Sequence, residues 1–557
     1  MIGAPSRGAK RGRFSLAYGE SLGHLRRFNY LCLPFPPPPR LTPSQRQEKC
    51  NSTISTRHCS ARAAMSKATH RLSVQDLEKH APRQRPDFIS VMSRLGYHLL
   101  PSFLQKSPKA RPKHGGIAAL DGLRGLACLF VFNEHYVICY QSKNSQHWIN
   151  RVPFIRLWWY GKGAVFLFFV ISGYVLSYKP LKQIRSRQYE ELQNTMASAT
   201  IRRAFRLYLP CLAMSAVACV LTSLGGFDSA TEIYKEYADY LFLKEPPPPH
   251  EPTLARQWAL WWTNYRFIIC ATFPFNIELS EWWYFKYDDH QWSIPVEYRC
   301  SIALFMVLIG TSRMKTIWRM LTVFIINSYL YNSDRGHAAL FFGGMFIAEL
   351  DLLRQSYTSS TNHINSKTPP SYLKPLLQLS ERTYEWFWFI VFVLGYFMIS
   401  SPIENQWEKG NWLPHALESW VAHPDEFILS YGSILTVWGV ANSKALGKVF
   451  LHPAVLYLGY ISYALYLVHG TVIKSLGYLW MPYTLRIATF TPPSVALSKE
   501  WWDGVTNTQA TVAHILGYVV VGSVVFWGSD LFWRYVDVPV VSFARWVERK
   551  LSVADSS

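Results

Sequence analysis

The sequence predicts an all-α protein, a polytopic transmembrane helical bundle of about ten spans, and three observations carry that prediction. Charged residues make up only 17% of the 557-residue chain while 49% is hydrophobic, against about a quarter charged in ordinary soluble domains. The apolar residues are gathered in ten blocks, most of them near the length that a helix needs to cross the hydrocarbon core of a bilayer. The charges left over are sorted by connection, basic and acidic loops alternating along the chain.

Residues 1–118 come first. They are rich in Pro, Arg and Ser, include the run PFPPPPR that ends at Arg40, and lack sustained apolar periodicity, so they are expected to form a largely disordered tail. No apolar stretch precedes a small-residue cleavage site. The Arg-rich, acid-poor beginning faintly resembles a mitochondrial presequence, and a start at Met65 is the other reading, so the place of residues 1–64 in the mature protein stays open. The apolar blocks come next, at roughly 120–140, 163–179, 204–224, 296–311, 317–332, 337–350, 384–401, 427–443, 453–475 and 512–533. The connection 179–206 has seven Lys/Arg and two acids, and 313–319, 351–384 and 444–452 are also basic; 225–292 has ten acids against five bases, and 402–425 is acidic. Alternating these loops across ten spans collects the basic ones on one side with both termini, which the positive-inside rule makes cytoplasmic. The expected organisation is a tail over 1–118, a membrane domain over 119–545 and a short cytoplasmic end over 546–557, in an endomembrane or the plasma membrane. The long acidic connection carries Trp258, Trp261, Trp262, Trp282, Trp283 and Trp292. Interface anchoring is the first reading of these rings, and a stacking platform for an acceptor the second.

The formal net charge of +21 does not point to nucleic acid. The tail holds 21 Lys/Arg against 5 Asp/Glu, so +16 of it sits there, where it suits a cytoplasmic tail touching anionic lipid. The nine cysteines show no CxxC pair or regular spacing, so neither a disulfide framework nor a metal site is expected.

The first span, LDGLRGLACLFVFNEHYVICY, holds the strongest functional signal. Ionisable groups inside a span are costly and tend to mark a working site. At 100° per residue Asp121, Arg124, Cys128, Val131 and His135 form one stripe, and Arg124 and His135 stand about 16 Å apart along it. A cation near one surface and a titratable ring near mid-bilayer make a two-ended site. Asp121 is placed to pair with Arg124, whereas Glu134 points away from His135. Near the last helix end, Asp530 and Arg534 have the spacing of an ion pair.

From these residues onward the chain resembles the membrane-bound acyltransferase-3 family over about residues 118–540. LDGLRGLA with Arg124 and His135 is similar to the family's opening and its Arg-x10-His pattern. GKGAVFLFFVISGYVLS at 161–177, with Ser172 and Gly173, resembles its second-span motif. RRAFRLYLP at 202–210 places Arg203 and Arg206 in its Arg-x-x-Arg positions, and HQWSIPVEYR at 290–299 resembles its Trp-Ser-x-x-x-Glu element with Trp292, Ser293 and Glu297. LGYISYALYLVH, ending at His469, and RYVDVP at 534–539 resemble late motifs. Two departures stand out: Ala-Val-Phe at 164–166 where bacterial members usually carry an aspartate, and Asp537 where a glutamate is common.

The resemblance implies transfer of an acyl group, acetyl being the expected one, from acyl-CoA to a hydroxyl of a carbohydrate, lipid or secondary metabolite. Acyl-CoA enters as co-substrate, with no bound cofactor. Arg124, Arg203 and Arg206 would then grip its phosphates, for which guanidinium is suited, and Arg202 would only enforce orientation. His135 would take the proton from the acceptor hydroxyl. Glu297 would be the second catalytic residue, orienting His135 or holding the acceptor, with a structural pair to Arg299 as the other reading. Asp121, Ser172, Trp292, Ser293 and His469 would support the site, His469 by packing or hydrogen bonding. The partners expected are membrane lipid, acyl-CoA and the acceptor, and not nucleic acid; the oligomeric state is not legible. Two other classes stay open: a proton-coupled secondary transporter using His135, Glu297 and Asp121 as a relay, and a non-catalytic membrane sensor.

Overall fold

The computed structural model describes residues 96–105, 117–140, 152–239, 241, 243, 245–270, 286–333, 335–360, 380–401 and 424–552. Among them regular structure is helical, with no β-strand. Each of the ten expected spans is a helix. They are α1 (Ala118–Val137), α2 (Gly161–Arg185) and α3 (Tyr189–Ser223), then, beyond α4 (Leu254–Cys270) in the long connection, α5 (Ser293–Gly310), α6 (Thr316–Asn332) and α7 (Gly336–Ser360). After these come α8 (Glu381–Ser400), α9 (Pro424–Asn442), α10 (Pro453–Val472), its continuation α11 (Tyr478–Thr489), α12 (Asn507–Phe532) and its continuation α13 (Val538–Leu551). Seven segments are long and apolar enough to cross a membrane: α2, α3, α5, α7, α8, α10 with α11, and α12 with α13. The chain is an all-α, multi-pass membrane bundle. Of the other three, α1 is interrupted by Asp121, Arg124 and Glu134, α6 is only 17 residues long, and α9 opens on Asp425 and Glu426.

The closest seams join α1 to α10, α2 to α7 and α8 to α9, and each runs through glycine. Among lipid tails no hydrophobic force drives helices together, so association depends on close backbone approach at small residues. A side chain on Gly125 would strike the backbone of Gly459, one on Gly173 that of Phe341, and one on Gly395 those of Gly432 and Thr436. Gly395→Leu is therefore expected to destabilise the bundle by about 1–3 kcal/mol through overpacking, read as a lower melting midpoint in detergent. An unchanged midpoint would mean that α8 and α9 do not meet this closely.

Two helices carry a π-helical turn, Ile473–Gly477 between α10 and α11 and Trp533–Asp537 between α12 and α13. Such turns insert a residue and rotate the helix beyond them, and they are frequent at functional sites. His469 and Lys474 would stand about 140° apart on an unbroken α-helix; the wider turn brings them towards one face.

Most of the expected tail lies outside the described residues. Residues 96–105 within it are held on α12 and the turn after it: the backbone N–H of Ser102 donates to Asp530 at 3.1 Å, its hydroxyl at 2.6 Å, and Arg534 donates to the carbonyls of His98 and Leu100. Asp530 and Arg534 pair as expected, 2.6 Å apart. On α4, Trp258 and Trp262 are exposed while Trp261 turns inward, its indole N–H donating to Ser215 Oγ at 3.1 Å. Trp282 and Trp283 lie outside the described residues.

Candidate active site

The stripe on α1 faces the bundle and ends in two polar centres. At the first, Arg124 is fixed on three sides: Nε donates to Ser462 Oγ at 3.1 Å, one terminal nitrogen to the carbonyl of Gly459 at 3.1 Å, and Asp121 lies 3.2 Å away. Arg203 on α3 donates to Glu297 at 2.6 Å and to Ser301 Oγ at 3.0 Å. Glu297 also accepts from the Ser172 hydroxyl at 3.0 Å. Arg206, one turn beyond Arg203, is exposed and holds no ion pair among the described residues. It lies within electrostatic reach of Arg124, of Arg203 and of Asp537 in the second π turn. Arg202 turns aside to Glu548, 3.3 Å away.

The second centre surrounds His135, which sits in the last turn of α1 rather than midway along it. His135 Nδ1 lies 3.2 Å from Glu245 Oε1, and His290 Nε2 lies 3.1 Å from the same oxygen. His290 is buried and donates through Nδ1 to Asp288 Oδ1 at 2.8 Å. Lys474, 1% exposed, approaches Glu245 Oε2 at 3.6 Å. His469 donates through Nδ1 to the carbonyl of Leu465 at 3.0 Å, and its ring centre stands 4.3 Å from that of His290. A small cleft opens here, lined by His135, Ile138, Cys139, Glu245, His290, Gly470, Ile473 and Tyr478.

Local sequence explains how Glu245 reaches this place. It precedes Pro246–Pro249, whose fixed φ keeps the chain extended, and Pro247 and Pro248 are buried. Tyr478 donates to the backbone carbonyl of Glu245 at 2.9 Å. Burial raises the pKa of a carboxyl, but His290, with His135 and Lys474, outweighs it and holds Glu245 well below its usual range. Asp288 is fixed by accepting from the backbone N–H of His290 at 3.2 Å. Gly470 leaves room for this pair: a Cβ there would stand 2.7 Å from His290 Nδ1.

One face of α10 links the two centres. Ser462 holds Arg124; Tyr466, a turn further on, meets Ser293 Oγ at 2.7 Å and donates to the carbonyl of His290; His469 comes in the next turn. Ser293 lies one turn before Glu297 on α5. Trp292 packs edge-on against His337, ring centres 5.4 Å apart.

Of the residues chosen from sequence, Asp121, Arg124, Arg203, Arg206, Ser172 and Glu297 therefore gather at one end, and His135 and His469 at the other, with Trp292 and Ser293 between. Glu297 pairs with Arg203, not with His135 or Arg299. The carboxylate against His135 is Glu245, which sequence reasoning missed together with Asp288, His290 and Lys474. A partial signal existed for two of them, since Asp288 and His290 stand immediately before the Trp-Ser element.

Fold and geometry together define a multi-pass membrane protein with an internal polar site of arginines, histidines and carboxylates. Residues 117–534 match the acyltransferase-3 family model, described as an acyltransferase domain, and the chain belongs to that family. It is similar to the O-acetyltransferase PaAT-1 of Phomopsis amygdali, 26% identical over 479 residues that cover 81% of this chain and 88% of that one. It is also similar to the acyltransferase clz18 of Cochliobolus lunatus, 24% identical over 413 residues, 65% of this chain and 83% of that one. No solved structure matches.

Proposed function

We propose that this membrane acyltransferase moves an acyl group, acetyl in the first place, from acyl-CoA to a hydroxyl of a carbohydrate, lipid or secondary metabolite. The observation that carries the reading is the pairing of His135 with Glu245 in an open cleft, joined along α10 to an arginine centre. Acyl-CoA presents several phosphates and a thioester at opposite ends of a long flexible arm. Arg206 and Arg124 bind the phosphates, while Arg203, already engaged by Glu297 and Ser301, shapes the arginine centre. Asp121 positions Arg124. The arm runs along the α10 face past Ser462 and Tyr466 towards the histidine cleft.

In the cleft, His135 accepts the proton of the acceptor hydroxyl as its oxygen attacks the thioester carbonyl. The carbon–sulfur bond then breaks, the proton passes to the departing thiolate, and free CoA and the ester leave. Glu245 fixes the His135 ring, and His290 and His469 close the cleft behind it. The basic connections and both termini face the cytosol, so the donor enters from the side where it is made. The excess of Lys/Arg ahead of the first span suits anionic lipid on that side.

The test is acceptor-dependent release of CoA by the purified protein in detergent, with hydroxylated acceptors of the three classes supplied in turn. Acetyl-CoA left intact with all of them would overturn the reading, and proton-driven uptake in vesicles without transfer would replace it by a transporter. Arg206→Ala is expected to raise KM for acyl-CoA about tenfold, the loss of one charge-assisted phosphate contact of roughly 1.5 kcal/mol, with KM for the acceptor unchanged. Equal changes in both would place Arg206 outside the donor site.

A further inference from the structure

The histidine centre has a geometry that proton transfer alone does not require. Nitrogen atoms from two rings converge on one carboxylate oxygen: His135 Nδ1 at 3.2 Å and His290 Nε2 at 3.1 Å from Glu245 Oε1. One nitrogen from each of His135, His290 and His469 lies within 4.8 Å of the others. The Nε2 atom of His469, 1% exposed, is buried and makes no hydrogen bond, and that of His290, 5% exposed, has Glu245 Oε1 as its neighbour.

We propose that His135, His290, His469 and Glu245 form a divalent-metal site, with Zn²⁺ the ion its donors suit best. Four-coordinate zinc takes nitrogen and carboxylate ligands at about 2.0–2.1 Å, which sets ligand-to-ligand edges of about 3.3 Å in a tetrahedron. The two edges to Glu245 Oε1 already have that length. Three imidazoles with one carboxylate and no thiolate suit zinc and its neighbours rather than copper(I) or calcium.

The groups behind the ligands are arranged as around a bound metal. A ligating histidine donates its other ring N–H to a carboxylate or a backbone carbonyl, which fixes the tautomer and turns the lone pair to the ion. His290 does so to Asp288 at 2.8 Å, and His469 to Leu465 at 3.0 Å. Lys474 occupies the other oxygen of Glu245 at 3.6 Å, leaving Oε1 to the centre. His135 and Glu245 line the cleft, so an ion between them has an open side for one further ligand. Nothing in the linear spacing of 135, 290 and 469 announces such a site, because its ligands come from three helical segments and a loop.

The proposal deepens the acyl-transfer reading and rests on it for one point only. With an ion here His135 would be a ligand in place of the proton acceptor; the ion would lower the pKa of an acceptor hydroxyl bound at the open side, and that proton would pass to the departing thiolate.

The experiment is metal analysis of the full-length protein purified in detergent without chelator, then chelation and titration with Zn²⁺ and Co²⁺. About one equivalent of tightly held divalent metal, visible absorption bands of four-coordinate Co²⁺, and at least tenfold weaker Zn²⁺ binding by His469→Ala are expected. Zn²⁺ should also raise the melting midpoint of the stripped wild type. Wild-type protein that is metal-free, shows no such bands on titration with Co²⁺ and is not stabilised by Zn²⁺ would overturn the metal site. If that metal-free protein still transfers acetyl groups, the functional reading stands without the metal; metal binding with no transfer to any acceptor does the reverse.

Discussion

His135→Ala is expected to lower acyl transfer by at least about a hundredfold, the lower end of what a positioned proton acceptor contributes, and to leave the bundle folded. The loss of activity stems from position. Of the two histidines that line the cleft, His135 is the more exposed, at 22% against 5% for His290, so it is the ring that an acceptor meets. Retention of the fold stems from the same exposure. Removing a ring that borders a cleft leaves no sealed cavity, and its partner Glu245 keeps His290 and Lys474. A melting midpoint near wild type beside collapsed turnover is the expected pair of readings. His135→Gln, which keeps a hydrogen-bonding group, should be as inactive as alanine. Wild-type turnover in either variant would remove His135 from the chemistry.

Glu245→Ala is expected to cost stability as well as activity. Three groups share this carboxylate: His135, His290 and Lys474. Removing one partner of a buried pair leaves an uncompensated charge and typically costs about 3–5 kcal/mol. Lys474 is the group at stake, being 1% exposed with Glu245 as its ion-pair partner. The variant should melt at a markedly lower temperature and lose transfer. Because the penalty lies in the stranded ammonium, adding Lys474→Met should restore much of the stability but not the activity, a coupling that a double-mutant cycle measures. Strictly additive losses would show that the two side chains do not interact.

The helical architecture was legible because the apolar blocks are long and the loop charges are sorted. All ten segments are helices, and the boundaries moved mostly outward: the block read at 204–224 belongs to a helix that begins at Tyr189, because polar residues continue a helix that projects beyond the apolar stretch. The arginine centre was largely legible, since Asp121 with Arg124 and Arg203 with Arg206 lie at helical spacing. The histidine centre was not. Glu245 stands in an acidic connection as one acid among ten, and what distinguishes it is a polyproline run that aims it inward. Lys474 acquires its direction from a π turn, which ordinary helical periodicity does not anticipate. Glu297 was offered His135 or Arg299 as partner and pairs with Arg203 instead, because a contact between helices is not read from the spacing within one of them.

Arg124 has a further consequence for biogenesis. Its hydrogen-bond partners, Gly459 and Ser462, are 335 and 338 residues later in the chain. At usual elongation rates a ribosome takes on the order of tens of seconds to make that interval. Throughout it, the guanidinium on α1 lacks both of these partners and has Asp121 beside it, so its burial against α10 has to wait. Maturation of this enzyme is accordingly a late event, completed when the ninth hydrophobic segment docks, and nascent chains stopped before it should expose their first segment to quality control.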